Sequence, residues 1–335
     1  MNYIGSKSKL SKFIFDSITT SVTKPLNECV FCDLFAGTGA IGKIFKSKVK
    51  KIIANDKEFY SFVLNKNYIG NRKHIENLDT LVLMLDNSQG IKGKIYENYS
   101  LSGTQGKAFQ RLYFSDENAM KIDNIRMKIE HLKQENIIDS NAYYFLLASL
   151  LESADKVANV ASVYGAFLKN LKKSALKNME FKPALFELHS NTNEVFNENA
   201  SELIGCIKGD ILYLDPPYNA REYGANYHLL NTIALYDDFI PQGKTGLRNY
   251  QKSAWCKKGS VADELENLIK KADFEWIFLS YNDEGILGLD EIERIFTKFG
   301  EYKRISKSYQ RFKADSTRNQ KQKSTIEYLH ILHKV

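Results

Sequence analysis

The stretch YLDPPYNAREY, Tyr213 to Tyr223, runs from an apolar segment into an acid, two prolines and a tyrosine. Proline donates nothing to a sheet and pushes its predecessor into an extended conformation, so Asp215 and Pro216 stand stiffly off the strand end. Asp-Pro also ends many strands with no chemical purpose, and the tetrapeptide alone leaves that reading open. The chemistry it can do is specific. The exocyclic amine of adenine is a poor nucleophile because its lone pair is delocalised into the ring. If the Asp215 carboxylate and the Pro216 carbonyl each accept one of its N–H bonds, the nitrogen can pyramidalise and free that lone pair. Pro216 and Pro217 fix both acceptors beforehand, which is electrostatic preorganisation rather than general-base catalysis. Tyr218 supplies a ring on which the base stacks. A base paired inside a duplex has to be flipped out to reach it.

An amine made nucleophilic needs an electrophile. DLFAGTGAIG contains G-x-G-x-x-G at Gly37, Gly39 and Gly42, and Asp56 closes the following apolar run. Taken alone this suits any adenosine-containing cofactor: the glycines let the backbone approach the ligand, and a strand-end acid accepts hydrogen bonds from a ribose diol. A purely structural glycine turn also stays open at this point. Asp33 separates the candidates, because a carboxylate beside this turn opposes a pyrophosphate and welcomes an ammonium group. S-adenosylmethionine has a ribose, an ammonium and a sulfonium, and no phosphate.

The elements that must carry these residues follow from the apolar pattern. VFCDLF, KKIIAND, GDILYL and EWIFLSYND read as buried strands, AIGKIFKS as a helix, and STIEYLHILHKV as a last strand. The first two strands with their helix form a β-α-β unit, which implies a parallel sheet with ligands at the carboxyl ends of its strands. Between the halves the texture changes: NAMKIDNIRMKIEHLKQENI and AYYFLLASLLESADKVA have helical spacing, and LSGTQGKAFQRLYFS reads as a loop. The expectation is therefore an α/β fold with a catalytic domain made of residues 1–70 and 196–335, interrupted by a mostly helical insertion at 71–195.

Composition sets the outer limits. The 335 residues are 43% apolar and 26% charged, as in a soluble globular protein. No apolar run is long enough to span a membrane and MNYIGSKSKL lacks a secretory signal, so a cytoplasmic location is expected. Cys29, Cys32, Cys206 and Cys256 suit a reducing compartment; the C-x-x-C pair has no second pair to complete a metal site, and no metal is expected. The net charge of +7 is concentrated. Residues 169–182 hold five lysines against Glu180, residues 241–260 hold four lysines and Arg248 with no acid, and residues 301–323 hold eight basic residues against two acidic ones. Basic clusters interleaved with aromatic residues suit a phosphate-tracking surface, and a solvated basic face would have the same composition.

With these residues in hand, the chain resembles the Dam-like class of N6-adenine-specific DNA methyltransferases, of the type found as methylases in type II restriction-modification systems. The likeness spans both ends of the chain, in order: NYIGSK, DLFAGTGAIG, IIANDKE, YLDPPYNAREYGANYHLL, FLSYNDEGIL and YQRFKADSTRNQKQKSTIEYLHIL. It implies a Rossmann-like S-adenosylmethionine-dependent methyltransferase sheet with the insertion as target-recognition domain. It also implies site residues: Tyr3 and Lys7 lining the cofactor site, with Lys7 near the methionine carboxylate; Asp33, Phe35, Gly37 and Gly39 around the methionine portion; Asp56 on the ribose; and Asp215, Pro216, Pro217 and Tyr218 as the catalytic loop. One position departs. Where relatives commonly carry an acid facing the cofactor's adenine amine, NENASEL offers Asn199, whose amide oxygen can still accept that hydrogen bond.

The implied partner is double-stranded DNA, with a cognate restriction endonuclease acting on the same sequence without stable association. Arg221, Tyr223 and Tyr227 either close over the flipped base or contact the strand, as nucleic-acid-binding residues, or pack the helix that follows. His228 serves the fold, since this chemistry needs no imidazole. Lys244, Arg248, Arg311, Lys313 and Arg318 are the candidate phosphate contacts. An RNA adenine methyltransferase and an inactive nucleic-acid-binding fold are the alternatives; a nicotinamide-dependent dehydrogenase leaves DPPY without a role.

Overall fold

Each apolar run becomes a strand. In the computed structural model, which describes residues 6–310 and 324–335, the strands are β1 (Val30–Asp33), β2 (Lys51–Asn55), β3 (Glu194–Phe196), β4 (Lys208–Leu214), β5 (Asp273–Asn282), β6 (Gly300–Gln310) and β7 (Ser324–Lys334). They form one sheet in the order β3-β2-β1-β4-β5-β7-β6. Strands β3 to β5 in that order run parallel, and β7 runs antiparallel to both β5 and β6. The order reverses between β1 and β4, the position where open α/β sheets leave a crevice outside their carboxyl ends. The expected α/β sheet is thus present. Tyr3, Arg311, Lys313 and Arg318 lie outside the described residues.

The described chain divides into two units. The sheet unit holds residues 6–65, 189–222, 252–310 and 324–335. Alternation along β1 sends Phe31 to one face, where it stacks on Phe45 at 4.2 Å, and Cys32 to the other. On that second face Cys32, Leu212 and Ile277 share a core with Leu265, Leu268 and Ile269 of the helix Val261–Lys271. Both faces are covered, which is why β1 and β4 read as continuous apolar runs in place of an alternation.

The other unit comprises Lys66–Leu188 and Tyr223–Gln251. Its longest helices start on conventional caps: Ser115 accepts from the Asn118 N–H ahead of Asp116–Gln134, and Asp139 accepts from the Ala142 N–H ahead of Ser140–Val157. Residues 158–193 contain no helix or strand, a departure from the mostly helical expectation. The helices fasten this segment through side chains that satisfy its backbone. Asn118 Oδ1 accepts from Met179 N, Asp86 from Phe181 N, Ser153 from Lys182 N and Ser149 from Ala184 N. A chain held this way needs no internal hydrogen-bond ladder.

Candidate active site

Asp33 ends β1 and Asp215 follows the end of β4, its neighbour. Asp33 is in register with Tyr213 and is 2% exposed, and its Oδ1 has no hydrogen-bond partner among the described residues. Burial, with the nearby Asp215 charge, pushes its pKa up to about 8, against the Gly42 backbone. A buried acceptor left unsatisfied is costly. A cation brought to Oδ1 would remove that cost, so this acid fits the ammonium of S-adenosylmethionine.

The glycine loop between β1 and Ala40–Phe45 is tied to the next helix. Gly37 and Gly39 have φ of 51° and 73°. A side chain at Gly39 would also meet Asn65 Oδ1 at 2.8 Å. The Gly37 carbonyl accepts from Ser61 Oγ and from Asn65 Nδ2, while the Gly37 N–H donates to Asp56 Oδ2 at 2.8 Å. Asp56 Oδ1 accepts from Glu58 N at 2.9 Å. Asp56, just after β2, is therefore turned toward the glycine loop. Phe35 packs edge-on against Trp255 at 5.1 Å. Asn199 is exposed and caps the helix Ala200–Leu203, its Oδ1 accepting from Ser201 N at 3.0 Å.

Across the reversal point, Lys7 Nζ sits 2.9 Å from Asp215 Oδ1 and 3.1 Å from Glu327 Oε1. Lys7 is 3% exposed and Glu327 is fully buried on β7. Burial works against the charge on Lys7, but Asp215 and Glu327 outweigh it and hold its pKa well above the ordinary value. Burial likewise raises Asp215 to about 6, with Lys7 pulling down and Glu327 pushing up. The Lys7 ammonium lies 5.6 Å from the centroid of the Tyr218 ring, which also meets Tyr281 edge-on. The Tyr218 carbonyl accepts from Ile286 N at 2.8 Å, anchoring the far end of DPPY to the turn after β5. Pro216 is buried and Pro217 half-buried.

The remaining candidates are spread out. Arg221 is exposed, just after an Asn219 side chain that accepts from its N–H. In the helical unit Tyr223 stacks on Tyr227, which is fully buried and edge-on to Tyr164. Of the two readings offered for Tyr227, its burial supports packing: no surface is left to meet a strand. His228 is buried beside the Tyr164 carbonyl, with its pKa lowered to about 4 by burial, and has the structural surroundings expected of it. Lys244 is exposed on a turn whose Gly243 and Lys244 carbonyls accept from Arg111 and whose Gly246 carbonyl accepts from Tyr99. Arg248 pairs with Asp237 at 2.7 Å and lies over the Phe239 ring. Sequence reasoning passed over Ser61, Asn65, Tyr281 and Glu327. A signal existed for three of them: Ser61 and Asn65 stand one helical turn apart just after Asp56, and Glu327 is the sole acid in STIEYLHILHKV.

The strand-end acid and the glycine loop thus follow β1, and DPPY follows the adjacent strand β4. The chain belongs to the D12 class of N6 adenine-specific DNA methyltransferases, whose sequence model matches residues 3–295. It is 56% identical over 336 residues to the type II methyltransferase M.NlaIII of Neisseria lactamica, covering 100% of this chain and 99% of that protein. It is 38% identical over 318 residues to the type II methyltransferase M.CviAII of Paramecium bursaria Chlorella virus 1, covering 94% and 93%. Similarity to the type II methyltransferase M.FokI of Planomicrobium okeanokoites is 37% over 348 residues; there the whole chain spans 53% of the relative. Among the described residues, no helix is long and apolar enough to cross a membrane and no group of acids, histidines and cysteines could hold a metal ion.

Proposed function

We propose that this adenine-specific DNA methyltransferase uses S-adenosylmethionine to methylate the N6 amine of an adenine flipped out of double-stranded DNA, as the modification enzyme of a type II restriction-modification system. The observation that carries this reading is that Asp33 and Asp215 stand at the ends of adjacent parallel strands, Asp33 Oδ1 without a hydrogen-bond partner among the described residues and Asp215 beside Lys7; we assign the first acid to the cofactor's cation and the second to the substrate amine. Relatives named type II methyltransferases support this setting, and we add to it a cognate endonuclease that acts on the same sequence on its own.

When bound, S-adenosylmethionine supplies a methyl carbon activated by its sulfonium. The residues of this chain do the rest. Asp33 takes the ammonium, Asp56 the ribose, and Gly37 and Gly39 keep the loop backbone open to close approach, with Phe35 beside them. Tyr218 stacks on the flipped base. The Asp215 carboxylate and the Pro216 carbonyl accept the two N–H bonds, which localises the lone pair on nitrogen before transfer. Lys7, already neutralised by two carboxylates, serves Asp215 more directly than it serves the cofactor. Arg221 and Lys244 are exposed on the loops that follow DPPY and offer charge to the phosphate backbone. Residues 71–195, the region of the long helices, carry target recognition.

The deciding experiment gives the purified protein labelled S-adenosylmethionine with mixed-sequence duplex DNA and, separately, RNA, followed by digestion to nucleosides. N6-methyladenine from the DNA is expected. Label in RNA adenine alone, or in no nucleoside, would overturn the reading.

A further inference from the structure

The buried carboxylate Glu327 has no part in the chemistry above, yet it stands in the middle of the site's charge network. It lies on β7, in register with Asn282 of β5 on one side and Lys307 of β6 on the other, and has no exposed surface. A carboxylate so placed needs compensation. Its compensation comes from Lys7 at 3.1 Å and from Tyr309, whose hydroxyl donates to Oε2 at 3.4 Å. The contact between Lys7 and Oε1 is an ion pair without hydrogen-bond geometry, since Oε1 has no hydrogen-bond partner among the described residues. One ammonium is thus shared between two acids, and the tighter contact, 2.9 Å, is the one to Asp215.

A lysine side chain is long and has many rotamers; a single ion pair to Asp215 leaves it free to swing with that carboxylate. A second, immobile carboxylate behind it removes this freedom. Glu327 is built into the centre of a three-strand antiparallel segment and is the rigid end of the arrangement. We propose that Glu327 is a positioning residue for methyl transfer: from β7 it holds the Lys7 ammonium against Asp215, so that the Asp215 carboxylate meets the target amine in one fixed orientation. This rests on Asp215 acting as the amine acceptor, as proposed above.

The test is a double-mutant cycle read by single-turnover transfer to duplex DNA at saturating cofactor, with the parent measured first. Glu327→Gln is expected to slow transfer about 10- to 100-fold, the penalty of a small misplacement of a reacting group, while the dissociation constants for S-adenosylmethionine and DNA stay within about twofold. Glu327→Asp should restore part of the rate. In a Lys7→Met background, Glu327→Gln should cost less than about threefold, because the group through which it acts is gone. A rate for Glu327→Gln within twofold of the parent, or an equal loss in both backgrounds, would overturn the proposal. If thermal melting shows that Glu327→Gln does not fold, the same cycle is run with Glu327→Asp and decides by the same coupling. A parent that transfers no methyl group to DNA would instead defeat the functional reading itself.

Discussion

Asp33 and Asp215 close adjacent parallel strands, yet they carry opposite electrostatic surroundings. Asp215 has the Lys7 ammonium at 2.9 Å, whereas Asp33 Oδ1 has no hydrogen-bond partner among the described residues. Two acids two positions out of register therefore differ in what they lack, and the proposed function uses that difference, giving one to the cofactor and the other to the substrate amine.

Asp33 should make cofactor binding depend on pH. Its pKa is raised to about 8, mainly by burial, and an ammonium ligand favours the ionised form. Binding below that value then expels a proton, and affinity for S-adenosylmethionine should rise about tenfold per pH unit up to about 8. Titration calorimetry at several pH values, in buffers of different ionisation enthalpy, measures both quantities. Asp33→Asn should flatten the profile and weaken binding.

Asp215 should set the acid limb of the rate. Burial raises it to about 6, against the pull of Lys7, so transfer should fall about tenfold per unit below pH 6 as the acceptor becomes protonated. Asp215→Ala should reduce transfer by at least about a thousandfold while cofactor binding changes little. Stability has the opposite sense. Both acids have folded values above the ordinary carboxylate value of about 4, so their contribution is complete in acid and is lost as pH rises, through about 6 for Asp215 and about 8 for Asp33. Urea unfolding of the ligand-free protein across that window checks the sign.

Gly39 should not tolerate even alanine. The new Cβ would meet a φ of 73° and Asn65 Oδ1 at 2.8 Å. The left-handed backbone alone costs about 1–2 kcal/mol for a residue with a side chain. Denaturant midpoints should show at least that loss in Gly39→Ala. Adding Asn65→Ala should not recover it fully, because the backbone strain remains and the Gly37 carbonyl loses a donor.

Arg111 should control the turn at 243–248. Its guanidinium donates to the carbonyls of Asn98, Gly243 and Lys244 from a position 5% exposed. Arg111→Ala leaves those acceptors without their donor, at about 1–3 kcal/mol for a buried polar group. Trypsin should then cut after Lys244 faster than in the parent, as followed by mass spectrometry.

The strands that build the site were legible because burial on both faces leaves uninterrupted apolar runs, as in ILYL of β4 and IFLSY of β5. Edge strands carry no such mark. The three residues of β3 sit in an asparagine-rich stretch, and β6 is largely exposed and charged; both owe their pairing to neighbours made elsewhere in the chain. The placement of Asp33, the glycines, Asp56 and DPPY could be read from spacing, since each stands at or just after the end of an apolar run. Lys7 with Glu327 could not. Their meeting depends on β7 entering between β5 and β6, which is a property of topology rather than of local pattern. The irregular course of 158–193 was hidden for a similar reason: its backbone partners are asparagine, serine and aspartate side chains on separate helices.

The insertion of β7 also dictates an order of assembly during synthesis. The ribosome makes β5 first, then β6, and β7 last of the three, yet β7 is the strand that lies between them. Until it emerges, β6 has no partner in the sheet and Lys7 has no Glu327. A nascent chain can complete everything from β3 to β5 and still lack Glu327 beside Lys7, so the charge network around Asp215 closes only once the last strand has been made.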